Sequence, residues 1–200
     1  MRLRCSVLLA FALSFVGCAG MSQQMQKSVG VGAVTSKESS FDGAHEVVMD
    51  PAFVAPAESG TAKFKMGFVW RSSSPEVVAA LVRISSLTDY NSITAASVNV
   101  DGNIVKLEPA EALTSHQFER ISQASCSQFG CSSGMTVKES DRMFVMDFEL
   151  LDEMMTAESV KVRIDKGRDY LVGDIKKDSY GNVVVKSSLP AFLAEVAKHR

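Results

Sequence analysis

Apolar and polar residues alternate with a period of two along most of the chain after about residue 45. In the clearest stretch, Phe64, Phe68 and Trp70 fall on one face. Lys63 and Lys65 fall on the opposite face. Such alternation predicts a β-strand that buries one face and exposes the other.

Other segments extend this β pattern. Residues 77–84 are apolar on nearly both faces, which predicts a central strand. The dipeptide Asp101-Gly102 predicts a hairpin, because a type I′ turn needs positive φ at both central positions. The other period-two strands are predicted at residues 97–100, 103–107, 144–149, 160–164, 170–175 and 183–185, of which the last three would form a meander.

Helical signals are confined to the last third of the chain. Residues 150–157 predict one or two turns between strands. Near the C-terminus, Ser188 is a suitable helix cap and Pro190 suits a first turn. The i, i+3, i+4, i+7 spacing of an amphipathic helix is formed by Leu189, Phe192, Leu193 and Val196.

Together these elements predict a mainly β fold. One-faced strands bury their apolar faces most simply in two layers. We therefore expect a single two-layer antiparallel β-sandwich-like domain over residues 45–200, with a C-terminal amphipathic helix. An α+β fold with one curved sheet under that helix is the alternative.

The first 17 residues have the organisation of an export signal. Arg2 and Arg4 form a short positive segment, and residues 7–16 form an almost continuous apolar run. This run is too short for a transmembrane helix, which takes about 20 residues. Gly17 then places a small residue directly before Cys18.

The segment Phe15-Val16-Gly17-Cys18 resembles the lipobox of bacterial lipoproteins, although Phe15 stands where that class usually has Leu. The resemblance implies that residues 1–17 are a signal peptide cut just before Cys18. It also implies a diacylglyceryl group on the Cys18 sulfur and an acyl chain, such as palmitate, on the new N-terminus. Ala19 after the cysteine implies the outer membrane in a Gram-negative host. An ordinary secretory signal or an uncleaved N-terminal anchor is the alternative.

Residues 18–44 are predicted to connect the lipid to the domain. Small and polar residues dominate this segment, so it cannot bury enough surface to offset the entropy of ordering it. We expect a flexible tether. Val29, Val31 and Val34 hint that part of it pairs as a strand.

Length and charge narrow the classes of function. The chain has 200 residues and 46% hydrophobic residues, which fits one globular domain with appendages. The net charge is −2, and removal of Arg2 and Arg4 with the leader takes it to −4. A mildly acidic chain argues against nucleic acid as the partner, because such binding needs a basic face.

Cys126 and Cys131 lie in a segment rich in Gly and Ser. An exported chain meets an oxidising compartment, so we expect a disulfide between them that pins this loop. A redox pair and half of a metal site shared with His116 are the alternatives. The spacing lacks the two-residue separation of redox motifs, and four-ligand zinc patterns are absent from the sequence.

No catalytic motif is present in the sequence. His45, His116 and His199 have no recognisable ligand spacing, and we expect His199 to be solvated. Asp147 and Glu149 would share one face of the strand predicted at residues 144–149, as paired carboxylates do in some hydrolases and calcium sites. A solvated strand face is the simpler interpretation. We therefore predict no catalytic residue, no metal ligand and no cofactor.

The sequence accordingly predicts a membrane-anchored envelope lipoprotein with a non-enzymatic binding or scaffolding domain. Its partners would be the membrane, through the lipid on Cys18, and envelope proteins on the periplasmic face. One alternative is an envelope hydrolase with a site near His116 and the Cys126–Cys131 loop. The other is a structural envelope protein with no discrete site. Ligand, partner identity and oligomeric state stay open.

Overall fold

The computed structural model describes residues 30–58, 63–110, 113–120 and 136–200, together with Gln26 and two short strands. In residues 118–120, 125–127 and 130–132 it describes only the backbone. The strands and helices of these residues are β1 (Val34–Glu38), β2 (His45–Phe53), β3 (Ala55–Pro56), β4 (Lys65–Arg71), β5 (Val77–Ser86), β6 (Ile93–Val100), β7 (Asn103–Pro109), β8 (Ser115–Arg120), β9 (Ser125–Ser127), β10 (Gly130–Ser132), β11 (Thr136–Asp147), α1 (Phe148–Thr156), β12 (Val160–Lys166), β13 (Asp169–Asp174) and α2 (Val185–Val196).

The mainly β prediction is confirmed. Eleven of the described strands form one large antiparallel sheet that curls into a half-barrel. Its strand order is β1-β2-β4-β5-β11-β7-β6-β12-β13-β3, and β8 pairs with β11 beside β7. Strands β9 and β10 form a separate two-stranded ladder.

The expected two-layer sandwich is corrected by this topology, because the described strands of the large sheet follow one continuous path. Strand β11 makes the difference. It pairs with β5 along one edge and with β7 and β8 along the other, so it joins the two halves that a sandwich would keep apart. The curved single sheet of the alternative prediction is the arrangement found.

The core lies on the concave side of the curled sheet, as the period-two pattern predicts. Phe68 and Trp70 are fully buried from β4, and Phe144 is fully buried from β11. Helix α2 packs across β2 and β4, where the rings of Phe68 and Phe192 are 6.0 Å apart between centroids. The predicted packing of a C-terminal helix on the sheet is confirmed.

Helix α2 begins earlier than predicted. Residues 183–185 were expected to form the third strand of a meander, but only Val184 makes an isolated bridge, to Phe53. Val185 lies four residues before Leu189 and seven before Phe192, so the same helical spacing continues back to it. Val185 is fully buried, and the free energy gained by burying it favours a helix that begins before Pro190 and continues through it. Pro190 is exposed, so the Lys186 carbonyl that would lose its helical partner faces water.

Strand β11 ends earlier than predicted. Phe148 and Glu149 were expected in a strand, but they open helix α1. The pattern misleads because Phe148 is buried in either structure, and Leu151 and Met154 then repeat at helical spacing. Asp147 is the last strand residue and Glu149 lies in the first helical turn, so the two carboxylates do not share a strand face.

Two local predictions are confirmed. Asp101 and Gly102 have φ of 48° and 98° and connect β6 to β7 as the hairpin requires. Strand β5 is central, with β4 on one side and β11 on the other.

The packed domain begins before residue 45. Strand β1 pairs with β2 through all five of its residues, inside the segment predicted as a tether. Further back, the Gln26 side chain donates to the Gly181 carbonyl at 3.0 Å and accepts from the Val183 amide at 2.8 Å. The predicted signal peptide and the tether residues 18–25 lie outside the described residues.

Within the described part of the chain, neither helix is both long and apolar enough to cross a membrane.

Candidate functional site

Of the cysteines singled out from the sequence, the structure describes two, and only by their backbone. Cys18 lies outside the described residues. The backbone of β9 and β10 places Cys126 directly opposite Cys131 in an antiparallel ladder. Residues paired across such a ladder have Cα atoms at a separation that suits a disulfide. Their side chains are not described, so the disulfide stays a prediction.

His116 lies on β8 with an exposed side chain. Its ring contacts Tyr90, with 4.8 Å between ring centroids. Ser140 is its cross-strand partner, but the Ser140 hydroxyl accepts a hydrogen bond from the Asn91 amide instead. Among the described residues, no hydrogen bond links His116 to a serine or a carboxylate, so no observation favours the hydrolase.

The other two histidines are brought together, although the sequence placed them far apart. The rings of His45 and His199 stack with centroids 4.1 Å apart and planes inclined by 19°. His199 Nε2 lies 3.3 Å from the Ser36 hydroxyl and 3.6 Å from a Glu195 carboxylate oxygen. His199 is therefore not solvated as expected. It fastens the end of α2 to β1 and β2.

No group of three or more His, Cys, Asp or Glu side chains in the described part of the chain is arranged to hold a metal ion.

A buried charge cluster spans β5 and β11. Arg83 donates two hydrogen bonds to the Asp141 carboxylate, at 2.8 and 2.6 Å, and lies 3.3 Å from Glu139. Glu139 and Asp141 are only 6% and 5% exposed. We call Arg83, Glu139 and Asp141 the arginine cluster. Arg83 pairs with both carboxylates and so links β5 to β11.

A groove opens where residues of β4 and β5 lie near residues of β12 and β13. It consists of two adjoining cavities of about 440 and 370 Å³ that share Lys63, Phe64 and Leu171. Lys161 lines the larger cavity, and Lys65 and Lys166 line the smaller one. We call these two cavities the lysine groove, and its lysines are Lys63, Lys65, Lys161 and Lys166.

The alternating pattern explains how the groove acquires both its floor and its charges. Phe64 turns into the core and is 3% exposed, while the flanking Lys63 and Lys65 turn outward. Lys166 ends β12 at a tight turn in which Gly167 has a φ of 57°. Ile84 and Leu171 complete an apolar floor beside Phe64.

The lysines of the groove are poorly neutralised. Among the described residues, no carboxylate lies within ion-pair distance of Lys63, Lys65 or Lys161. Lys65 Nζ instead lies 4.9 Å from the centre of the Phe53 ring. Lys166 has a loose ion pair with Asp169 at 3.6 Å. The smaller cavity has no carboxylate among its lining residues, and the larger one has Glu58.

The neutral polar groups of the smaller cavity are already engaged. The Ser85 hydroxyl donates to Glu139 at 3.2 Å, and the Ser86 hydroxyl accepts from the amides of Thr88 and Asp89. The Asn91 side chain lies 3.5 Å from the Asp89 carbonyl. Recognition of a polar ligand in this cavity therefore falls to the ammonium groups.

Sequence reasoning did not identify this site. The alternation of Lys63, Phe64 and Lys65 predicts one polar strand face, and Lys166 lies between the strands predicted at residues 160–164 and 170–175. No motif links them, because they converge only when the sheet curls.

Comparison of the chain with family models, curated proteins and solved structures finds no match. Any function must therefore be argued from the residues themselves.

Proposed function

We propose that this chain is a lipid-anchored envelope protein whose half-barrel is a non-enzymatic binding domain and whose binding site is the lysine groove. One observation carries the proposal: around an apolar floor lie four lysines, of which Lys63, Lys65 and Lys161 have no carboxylate within ion-pair distance among the described residues. A concave site with an apolar floor and a few polar groups is the usual form of a ligand site.

The anchoring half of the proposal is supported by the lipobox-like segment that ends at Cys18. Two or more acyl chains bind a protein stably to a bilayer, because each buried methylene contributes about 0.8 kcal/mol. By the sorting rule of that class, Ala19 supports the outer membrane in a Gram-negative host. The chain from Cys18 to Gln26 would then link the lipid to the first described contact of the domain.

Intact mass of the protein from its native host tests the anchor. We expect the wild type to have lost residues 1–17 and to carry acyl mass, and Cys18→Ser to carry none. A wild type without lipid mass would contradict the anchor and leave the binding site to be judged by itself.

Site-specific photo-cross-linking in living cells tests the binding site. Tyr170 lines the larger cavity and is 53% exposed, so benzoyl-phenylalanine can replace it with little change of shape. Phe41 is fully exposed and lines neither cavity of the lysine groove, which makes it the matched control. We expect a discrete adduct from position 170 and none from position 41. Equal labelling at both positions, or none at either, would overturn the groove as the binding site.

A further inference from the structure

We propose that the smaller cavity of the lysine groove binds a phosphate group, held between Lys65 and Lys166 with Lys63 at the junction of the two cavities. This inference rests on the proposed binding function and specifies the chemistry of its ligand. The phosphate is the shared chemistry, and it can belong to a soluble phosphate ester or to the headgroup of an anionic lipid.

The cavity has an excess of positive charge. Three lysines line about 370 Å³, and no carboxylate is among the lining residues. Lys166 has a partner outside the lining in Asp169, whereas Lys63 and Lys65 have no ion pair among the described residues. Like charges gathered in a concave site raise the local positive potential and attract anions.

The Lys65 side chain is restrained in a position that leaves its charge available to such a ligand. It is only partly exposed, and its ammonium lies over the Phe53 ring rather than beside a carboxylate. A cation–π contact restrains the side chain without neutralising its charge. The ammonium therefore keeps its full capacity to donate hydrogen bonds to an incoming anion.

Lys166 can exchange its present partner for a ligand. Its ion pair with Asp169 is long, at 3.6 Å, and Asp169 is 72% exposed in its side chain. The other oxygen of Asp169 already accepts a hydrogen bond from the Tyr170 amide at 2.8 Å. Release of Lys166 would therefore leave Asp169 solvated and still bonded.

The charge of the cavity favours a phosphate over a single carboxylate. A phosphate monoester carries between one and two negative charges near neutral pH and has three terminal oxygens. Those oxygens can accept from lysines on both sides of the cavity, whereas one carboxylate would leave more of the positive charge unbalanced. The apolar floor of Phe64, Ile84 and Leu171 suits the carbon atoms attached to the phosphate.

Lysine footprinting on the full mature chain tests the proposal. The protein, in nanodiscs of phosphatidylcholine, is treated with an amine-modifying reagent, and the modification of each lysine is read by mass spectrometry. The probes are inorganic phosphate, glycerol 3-phosphate, and nanodiscs that also contain phosphatidic acid, whose headgroup is a phosphate monoester. Lys106 is the internal control, because it is exposed on β7 outside the groove and has no ion pair among the described residues.

We expect at least one probe to protect Lys65 and Lys166 and to leave Lys106 reactive. Protection by glycerol 3-phosphate identifies a soluble ester as the source, and protection only by phosphatidic acid identifies a lipid headgroup. Protection of Lys106 to the same degree, or no protection up to millimolar probe, overturns the phosphate site. In that case an adduct at position 170 in cells would still support the groove as a binding site. The two proposals can therefore be contradicted independently.

Matched variants test the residues. For the probe that protects, Lys65→Gln with Lys166→Gln should weaken binding by at least about tenfold, because each charge-assisted hydrogen bond contributes that much. Lys106→Gln should change binding by less than about twofold. Equal affinity of the double variant and the wild type would overturn the assignment of these two lysines.

Discussion

Arg83 and Lys65 lie directly opposite each other on neighbouring strands, yet their surroundings differ completely. Arg83 belongs to the arginine cluster and has carboxylate partners that are almost fully buried. Lys65 belongs to the lysine groove and has only the Phe53 ring beside it. The comparison separates a charge used to hold strands together from a charge left available to a ligand.

The physical reason is the neighbouring strand on the far side of each residue. Arg83 has β11 on its far side, and β11 brings Asp141 into register with it. Lys65 has β2 on its far side, and β2 brings the Phe53 ring into register with it and no carboxylate. Removing a charge of the arginine cluster should lower the stability of the fold, and removing a charge of the lysine groove should weaken ligand binding.

The largest expected effect comes from Asp141→Asn. It removes the charged partner of Arg83 in a setting only 5% exposed, so the free energy of unfolding should fall by about 2–3 kcal/mol. Urea denaturation measures it. Asp152→Asn, on the exposed face of α1, is the control and should stay within about 0.5 kcal/mol. Wild-type stability of Asp141→Asn would show that the arginine cluster does not hold β5 to β11.

The disulfide predicted between β8 and β11, in the segment that contains β9 and β10, should also contribute to stability. If Cys126 and Cys131 are joined as predicted, the protein purified without reductant should show no free thiol at either position. Reduction should then lower the free energy of unfolding by about 2 kcal/mol, because the closed loop is short. Two titratable thiols in material that was never reduced would contradict the disulfide.

Glu46 provides an intermediate case, since it is paired near the surface. Lys37 and Arg71 hold its pKa below the usual value of 4.5. The native state therefore binds this proton less tightly than the unfolded chain does, so the ion pairs stabilise the fold above about pH 4.5. That stability is lost as the pH falls through the lowered pKa.

We expect Glu46→Gln to cost about 0.5–1 kcal/mol near neutral pH, a small value because Lys37 and Arg71 are mostly exposed. The wild type and the variant should converge in acid when urea denaturation is repeated across pH. Glu38→Gln has no ion pair to lose among the described residues and should show no such convergence. A gap that stays constant down to pH 3 would rule out the linkage.

The smallest expected effect is the most informative one. Lys65→Gln with Lys166→Gln should change the free energy of unfolding by less than about 0.5 kcal/mol, because the lost ion pair is long and near the surface. Thermal and urea denaturation measure it. A loss above about 1 kcal/mol would mean that the groove lysines also stabilise the fold. It would contradict the distinction between the arginine cluster and the lysine groove.

Local features of the fold could be predicted from the sequence, and long-range ones could not. The Asp101-Gly102 hairpin was predictable because backbone geometry at two residues specifies it. The single curled sheet was not, because no local pattern indicates that β11 inserts between β5 and β7. Period-two signals also persisted into both helices, since Phe148 and Val185 are buried in either conformation.

The candidate site was harder to predict than the fold. Each groove lysine was visible as a polar residue beside apolar ones, and nothing distinguished it from an ordinary solvated residue. The distinction depends on the missing carboxylate partners and on the approach of β12 to β4, which are properties of the folded chain. The sequence predicted the compartment and the anchor, which rest on contiguous residues such as Gly17 and Cys18 and stay predictions.

The position of β11 also sets the order in which this sheet can be completed. Strands β5 and β7 lie on either side of β11, so neither has its final neighbour until Thr136–Asp147 is available. A chain that emerges N-terminus first would carry two unpaired strand edges for most of its synthesis or export, and such edges recruit other strands. Folding should accordingly be slow for a chain of this size, since long-range pairings must form first. A version truncated before Thr136 should therefore aggregate, because β5 and β7 would keep those unpaired edges.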